Sequence, residues 1–207
     1  MKQTKSSYLF FLIIYAMLLL AAFILPFFTD REYSLLKNTL SELGAQNTPY
    51  NWIMNFIFIL LGFITFINGF KILHKHHLQT LLLLVFCISL VLTGIFLSAP
   101  LNRELVFDSF QNEMHAIFST INGVSFFIYA LSISFIARWS EQKMASIVIG
   151  IIVLILSYSI FIHSGYRGIY HRGIFIIAFG WILYSFKFYE FTISKKEYFK
   201  ILNRKSK

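Results

Sequence analysis

The sequence predicts an all-α polytopic membrane bundle of six transmembrane helices, and three observations carry that expectation. Only 13% of the 207 residues are charged and 57% are hydrophobic, whereas a soluble domain has about 25% charged residues. Six apolar stretches follow one another along the chain, each long enough to cross a hydrocarbon core of about 30 Å at about 1.5 Å per residue. The basic residues gather at one set of helix ends and in the tail. A soluble fold of this size has no means of hiding so much apolar surface, with 25 Phe and a mean hydropathy of +0.70, without large exposed patches. Lipid is the simpler solvent for it.

The spans are taken in order. Residues 8–28 carry no charge; the stretch is too long for a signal-peptide apolar region and no small-x-small cleavage site follows, so it reads as a retained helix. The next spans are residues 51–70, 78–99, 115–137 and 144–162. The last is 174–191, where Lys187 sits near one end and its stem can snorkel. Residues 192–207 alternate basic and apolar side chains, with Tyr198, Phe199, Ile201 and Leu202 in one stripe. This predicts a basic amphipathic helix lying on the inner leaflet. No repeat, low-complexity tract or linker divides the chain, so residues 1–207 read as one transmembrane domain. The single cysteine, Cys87, lies inside an apolar run, which excludes an intrachain disulfide and points to packing.

Lysine and arginine counts set the expected orientation. With the N-terminus cytoplasmic, the inner segments hold 13 of the 18 basic residues. The outer connections hold five: Arg31, Lys37, Arg103, Arg167 and Arg172. The bias places both termini in the cytoplasm of a multi-pass plasma-membrane protein. Six of the nine acidic residues and all three prolines (Pro26, Pro49 and Pro100) fall on the outer side. The net charge of +9 would suit nucleic acid, but charge confined to helix ends and a tail fits contact with anionic membrane lipid instead. The inner turns "KILHKHH" and "RWSEQK" are short, whereas the outer connections 29–50, 100–114 and 163–173 are longer and chemically richer. A functional site is therefore expected on the outer face.

The stretch "YSLLKNTLSELGAQNTPYNWIMNFIFILLG" holds Ser41, Glu42, Leu43 and Gly44, a small polar loop, then Trp52 and Asn55. Further on come Gly94–Phe96, an acidic loop with His115, and "GIYHRGIFIIAFGW" from Gly168 to Trp181. In this order the motifs resemble the bacterial six-helix membrane family known as domain of unknown function 998. The chain departs from that pattern at Glu42, where Asp is usual, and at Leu97, where Pro is common. The Ser-acidic-x-Gly loop also bears a distant likeness to a eukaryotic six-helix family of lipid-remodelling and autophagy-linked membrane proteins. The resemblance to the first family implies architecture more than chemistry, because that family has no established common activity.

Seven polar residues fall in or beside the outer connections: Ser41, Glu42, His115, His163, Arg167, His171 and Arg172. Serine, histidine and a carboxylate are the tools of acyl transfer, as nucleophile, base and orienting group. Arginine pairs suit an anionic lipid headgroup, because guanidinium meets phosphate or carboxylate bidentately. One reading is thus an outer-leaflet hydrolase or acyltransferase acting on a lipid or lipid-linked ester. In it Ser41, Glu42 and His115 are the catalytic set, and Arg167, His171, Arg172, Asn55 and Asn122 bind the ligand. The structural reading of the same residues makes Ser41 the cap of a short helix that stops at Gly44, with the arginines touching headgroups.

No metal or other cofactor is required by either reading. A zinc site from His115, His163 and His171, with Asp108 or Glu42, is the alternative; its ligands would have to converge from separate segments. Asn55, Asn68 and Asn122 read first as interhelical hydrogen-bonding amides and second as the lining of a polar pocket. The "HKHH" run at His74–His77 reads as a solvated basic turn. Haem between facing helices is disfavoured, since no histidine falls in mid-membrane. Ion-coupled transport ranks behind the other classes, for want of ionisable residues at mid-depth. The competing class is a non-enzymatic lipid-binding, sensor or accessory subunit using the same outer pocket, with membrane lipids, and a protein partner or a second copy, as its contacts.

Overall fold

The computed structural model describes residues 5–102 and 104–191. The expected tail helix over 192–207 and Arg103 lie outside the described residues. Seven α-helices are formed among the described residues: α1 (Lys5–Ile24), α2 (Leu40–Leu43), α3 (Asn51–Leu73), α4 (His77–Ile95), α5 (Ser109–Ile136), α6 (Ser140–Ile162) and α7 (Arg167–Phe188). All except α2 are long and apolar enough to cross a membrane. Among the described residues there is no strand beyond one isolated bridge between Ala137 and Phe191.

The spans agree with hydropathy in number and order, and depart from it at their ends. The α-helical part of α1 stops at Ile24, and a 3-10 turn over Leu25–Phe28 with Pro26 in its first turn completes the span. Proline fixes φ and removes a donor, so the ladder tightens there. Helix α5 begins at Ser109, six residues before the apolar run, because the Asp108 side chain accepts the Gln111 backbone N–H and caps it. Helix α7 begins at Arg167, seven residues earlier than expected. His171 and Arg172, expected in the connection 163–173, therefore lie inside α7, and His115, expected to open its span, lies more than one turn into α5.

Each span packs on the next, from α1 through α3, α4, α5 and α6 to α7, and α7 then returns against α1 and α3. Half of α7's most apolar window is buried inside the protein, but only 17% of α6's. Helix α7 is thus a core helix and α6 a lipid-facing one. An aromatic chain runs down the middle of the bundle. Phe58 stacks on Phe175 (5.1 Å between ring centres), Phe179 contacts Phe86 (5.8 Å), and Phe126 meets Trp181 edge-on (5.9 Å). Between lipid-bathed helices no hydrophobic force favours contact, so shape-matched dispersion of this kind and interhelical hydrogen bonds must hold the bundle. Such bonds are made by Asn122 Nδ2 to the Phe86 carbonyl (2.9 Å) and Gln79 Nε2 to the Ser132 carbonyl (3.1 Å). Each is worth roughly 0.6 kcal/mol.

Six spans leave two dissimilar ends. One holds the short turns and the first and last described residues, and is called the terminal end. The other holds residues 25–50, 96–108 and 163–166, and is called the loop-rich end. Close approach of α3 to α4 is needed to bring the loop-rich segments together. At Gly62 an added Cβ would come within 2.8 Å of the Cys87 carbonyl and 2.6 Å of Val91. Gly62→Leu is expected to force α3 and α4 apart and cost roughly 1–3 kcal/mol, read as a lower thermal midpoint in detergent micelles. An unchanged midpoint would show that this contact is loose.

Candidate functional site

The loop-rich end is built from irregular backbone, and irregular backbone next to lipid has no water to satisfy its polar groups. The polar side chains of residues 33–55 meet that need. Tyr33 closes a turn, its N–H bonded to the Asp30 carbonyl (2.9 Å). Asn38 Oδ1 accepts the Ser34 N–H (2.8 Å), and the Asn38 N–H returns to the Ser34 carbonyl (2.7 Å). Thr39 then caps α2 in a capping box in which the Glu42 carboxylate accepts the Thr39 backbone N–H and hydroxyl. The cap is therefore Thr39, not Ser41, while Gly44 does close the helix as expected.

Three amides sew the next stretch to its neighbours. Asn55 Nδ2 donates to the Gly44 carbonyl (2.8 Å), and Asn51 Nδ2 to the Ala45 carbonyl (2.9 Å). Gln46 bridges two segments: its amide donates to Leu97 O and Asp108 O (3.2 and 3.0 Å) and accepts the Asp108 N–H (2.7 Å). From the other side, Gln111 and Asn112 of α5 accept the N–H groups of Leu97 and Ala99 (3.3 and 2.8 Å). Asn47 and Tyr50 sit in the left-handed region, with φ of 59° and 58°. That conformation is uncommon for a bulky residue and is held here by flanking turns and the Asn51 side chain.

Arg172 is the hub. Its side chain is buried on the second turn of α7. Nε donates to the Ala22 carbonyl in the last turns of α1 (3.0 Å). Nη1 lies at 3.0, 2.9 and 3.0 Å from the carbonyls of Leu35, Asn38 and Gly168. Nη2 donates to the Tyr33 hydroxyl (2.7 Å), and the guanidinium also stands over the Tyr33 ring (5.8 Å). Among the described residues no carboxylate pairs with it; the ion pair found there is Arg138–Glu190 at 2.9 Å. Carbonyl dipoles, including the negative end of α1, replace a counter-ion. Gly168, one turn earlier, makes this approach possible. Its N–H donates to Leu36 O (2.8 Å), and a Cβ would fall 2.3 Å from Leu35 O.

The two helical histidines do the same work. Leu40 N–H donates to His171 Nδ1 (3.1 Å), so that nitrogen is bare and the ring proton is on Nε2. His115 Nδ1 donates to the Phe96 carbonyl (2.8 Å), so its proton is on Nδ1. Ser98 Oγ donates to the Ser41 carbonyl (3.2 Å). Ser41 in α2, His115 bonded to Phe96 and His171 bonded to Leu40 thus form a polar group around α2 and residues 96–98. Its polar atoms are directed at backbone, however. Glu42 serves the capping box and Arg172 the carbonyl cluster, so neither is open to a headgroup. Among the described residues, the Ser41 hydroxyl makes no hydrogen bond.

The remaining expected residues stand apart. His163 ends α6, exposed, with its ring edge-on to Tyr170 (6.1 Å). Arg167 opens α7 and makes no hydrogen bond or ion pair with another described residue. Asn122 packs α5 on α4. Among the described residues no three His, Cys, Asp or Glu side chains come together as metal ligands. His115 and His171 each turn Nδ1 to backbone, and His163 is exposed at the end of α6.

Two open grooves mark the lipid-facing surface. One, of about 340 Å³, is lined by Asn51, Trp52, Asn55, Phe56, Ile59 and Leu97, directly beside the polar segment. The other, of about 220 Å³, lies between α3 and α4 and is wholly apolar, bounded by Gly62, Phe63, Phe66, Cys87 and Val91 among others. Sequence reasoning singled out Asn55, Trp52 and Gly168 but missed Tyr33 and Gln46. The Thr39-x-x-Glu42 spacing was the legible signal for the cap; Tyr33 had none, since its role exists only once Arg172 is buried against it.

A six-span α-helical membrane protein with an internally bonded polar cap at one end is the class these features define. The chain matches the family model described as protein of unknown function (DUF998) over residues 13–185, and it belongs to that family. No curated protein and no solved structure matches it.

Two outcomes are expected of the hub. Arg172→Met leaves several buried carbonyls without donors and is expected to cost at least about 3 kcal/mol in micelle unfolding. Arg172→Lys is expected to recover only part of it, because an ammonium lacks the planar fork. Burial pushes the Tyr33 hydroxyl up to about 12, with the Arg172 charge opposing and Glu42 reinforcing the rise. A raised value means that the neutral phenol is favoured in the folded state. Its contribution is full below about pH 10, the unfolded value, and is lost as pH climbs toward 12. Wild type is therefore expected to lose stability more steeply than Tyr33→Phe between pH 10 and 12 in thermal melts. Parallel curves would contradict this.

Proposed function

We propose that the protein is a non-enzymatic binder of a membrane lipid or small amphiphile, seated at the loop-rich end with its chain in the Trp52 groove. The single observation that carries this reading is the groove of about 340 Å³ between Asn51, Trp52, Asn55, Phe56, Ile59 and Leu97. Apolar walls suit an acyl chain, and the adjoining polar segment suits a headgroup. Trp52 and Tyr50, both exposed, belong to residue types that settle at the membrane–water boundary. A cap whose amides and carbonyls are already paired is rigid, and rigidity favours binding by lowering the ordering cost. Such a protein would act as a sensor, accessory subunit or carrier. Lipid-linked ester hydrolysis is the second reading, favoured by one observation, the unpaired Ser41 hydroxyl close to the segment that binds His115.

A photoreactive residue at Trp52 is expected to capture a defined lipid or amphiphile from cells, while the same residue at Val148, on the exposed side of α6, captures only bulk lipid. Identical captures at both positions would contradict the groove as a site. Turnover of a captured ester that Ser41→Ala abolishes would shift the reading to catalysis.

The loop-rich end faces outward and both termini face the cytoplasm of the cell membrane in this proposal, by the distribution of basic residues. Val106, 94% exposed in the 96–108 segment, offers the test. Val106→Cys is expected to react with an impermeant maleimide in intact cells, with buried Cys87 silent. Labelling only after permeabilisation would reverse the orientation.

A further inference from the structure

The opposite end of the bundle carries a second feature that the cap does not use. Helices α1, α3 and α7 converge at the terminal end through Phe11, Gly69 and Phe186. The Phe11 and Phe186 rings lie 6.3 Å apart, and a Cβ on Gly69 would meet Phe186 at 2.7 Å. Just past this contact, Lys71 of α3 and Lys187 of α7 emerge on either side of the first turn of α1. Lys71 Nζ donates to Ser7 Oγ (3.2 Å), and Ser7 Oγ donates to Asn68 Oδ1 (2.8 Å). Lys187 Nζ stands 5.3 Å from the centre of the Tyr8 ring. Two ammonium groups are therefore held on fixed, separate helices around residues 7 and 8.

Among the described residues no carboxylate answers them. Glu190 is paired with Arg138 at 2.9 Å, and Glu141 is exposed at the start of α6, a helix that packs on α5 and α7 rather than on α1. Lys71 and Lys187 lie within two residues of the ends of their candidate spans, Asn51–Leu73 and Ser164–Phe188. Among the described residues their partners are the Ser7 hydroxyl for Lys71 and the Tyr8 and Phe188 rings (5.3 and 5.1 Å) for Lys187, none of which neutralises a charge.

We infer that Lys71 and Lys187 form a binding site for the phosphate of an anionic phospholipid in the leaflet at the terminal end, with its acyl chains along the α1, α3 and α7 surface. The site is independent of the groove at the loop-rich end and of any ligand there. The phosphodiester is taken by charge and by hydrogen bonds from the two ammonium groups, and the Lys71–Ser7 and Lys187–Tyr8 contacts keep those groups from spreading into solvent. A zwitterionic lipid offers the same phosphate with a compensating cation and is bound more weakly.

The full-length protein in nanodiscs of mixed phosphatidylglycerol and phosphatidylcholine provides the test, by native mass spectrometry of retained lipid. Each lysine near a membrane surface is worth about fivefold in affinity for anionic lipid, so Lys71→Gln with Lys187→Gln is expected to lower the phosphatidylglycerol preference about twenty-five-fold. Lys143→Gln, on α6 at the same end but outside the site, is expected to lower it by no more than the roughly fivefold of any one surface lysine. Lys71→Arg with Lys187→Arg keeps both charges and is expected to keep the preference, which separates loss of the site from loss of folding. Equal retention of the two lipids by wild type, or an undiminished preference in the double glutamine variant, would overturn the inference. So would displacement of the lipid by millimolar inorganic phosphate, which would mark a site for a free anion.

Discussion

Backbone that leaves a helix next to lipid must find its hydrogen-bond partners inside the protein, and in this chain one buried guanidinium supplies the largest share. Arg172 reaches the carbonyls of α1, of the 35–38 segment and of its own helix, together with the Tyr33 hydroxyl. A charge buried without a carboxylate is ordinarily expensive. Here the cost is met by dipoles that would otherwise be unsatisfied themselves. The same side chain thus solves two problems, its own desolvation and that of the loop. Gly168 belongs to this solution, since no side chain at that position leaves room for the carbonyls to close in.

The rest of the loop-rich end follows the same rule with weaker parts. Asn51, Asn55, Gln46, Gln111 and Asn112 each bind main-chain groups of another segment. Both helical histidines do so as well. The polar richness of residues 37–52 is therefore first of all structural. What it leaves available is its outer surface, where Trp52 and Tyr50 are exposed beside an apolar groove. A stiff polar rim over a lipid-accessible slot is a geometry for holding an amphiphile. The aromatic chain through Phe58, Phe175, Phe179 and Phe86 ties that rim to the middle of the bundle.

Hydropathy made the six spans legible because lipid imposes length and composition together. It misplaced the starts of α5 and α7 for one reason. Polar residues were taken to end a span, whereas Asp108 caps a helix that runs on through Gln111 and Asn112, and Arg172 is buried within one. The gathering of Ser41, His115, His171 and Arg172 at one end was readable from connection order alone. What each polar atom faces was not, because Nδ1 of His171 and the guanidinium of Arg172 are spoken for by main-chain groups some 130 residues away in the chain. The cap on Thr39 was present in the spacing to Glu42 and was overlooked in favour of the neighbouring serine.

Backbone amide hydrogen exchange of the protein in lipid nanodiscs tests the central claim most directly. The N–H groups of Ser34, Asn38, Leu40, Gln46, Leu97 and Ala99 all have internal acceptors. They are predicted to exchange on the slow timescale of the helices, although most lie in segments without regular secondary structure. Exchange of residues 33–46 and 96–99 within seconds, at the rate of a solvated loop, would contradict the account.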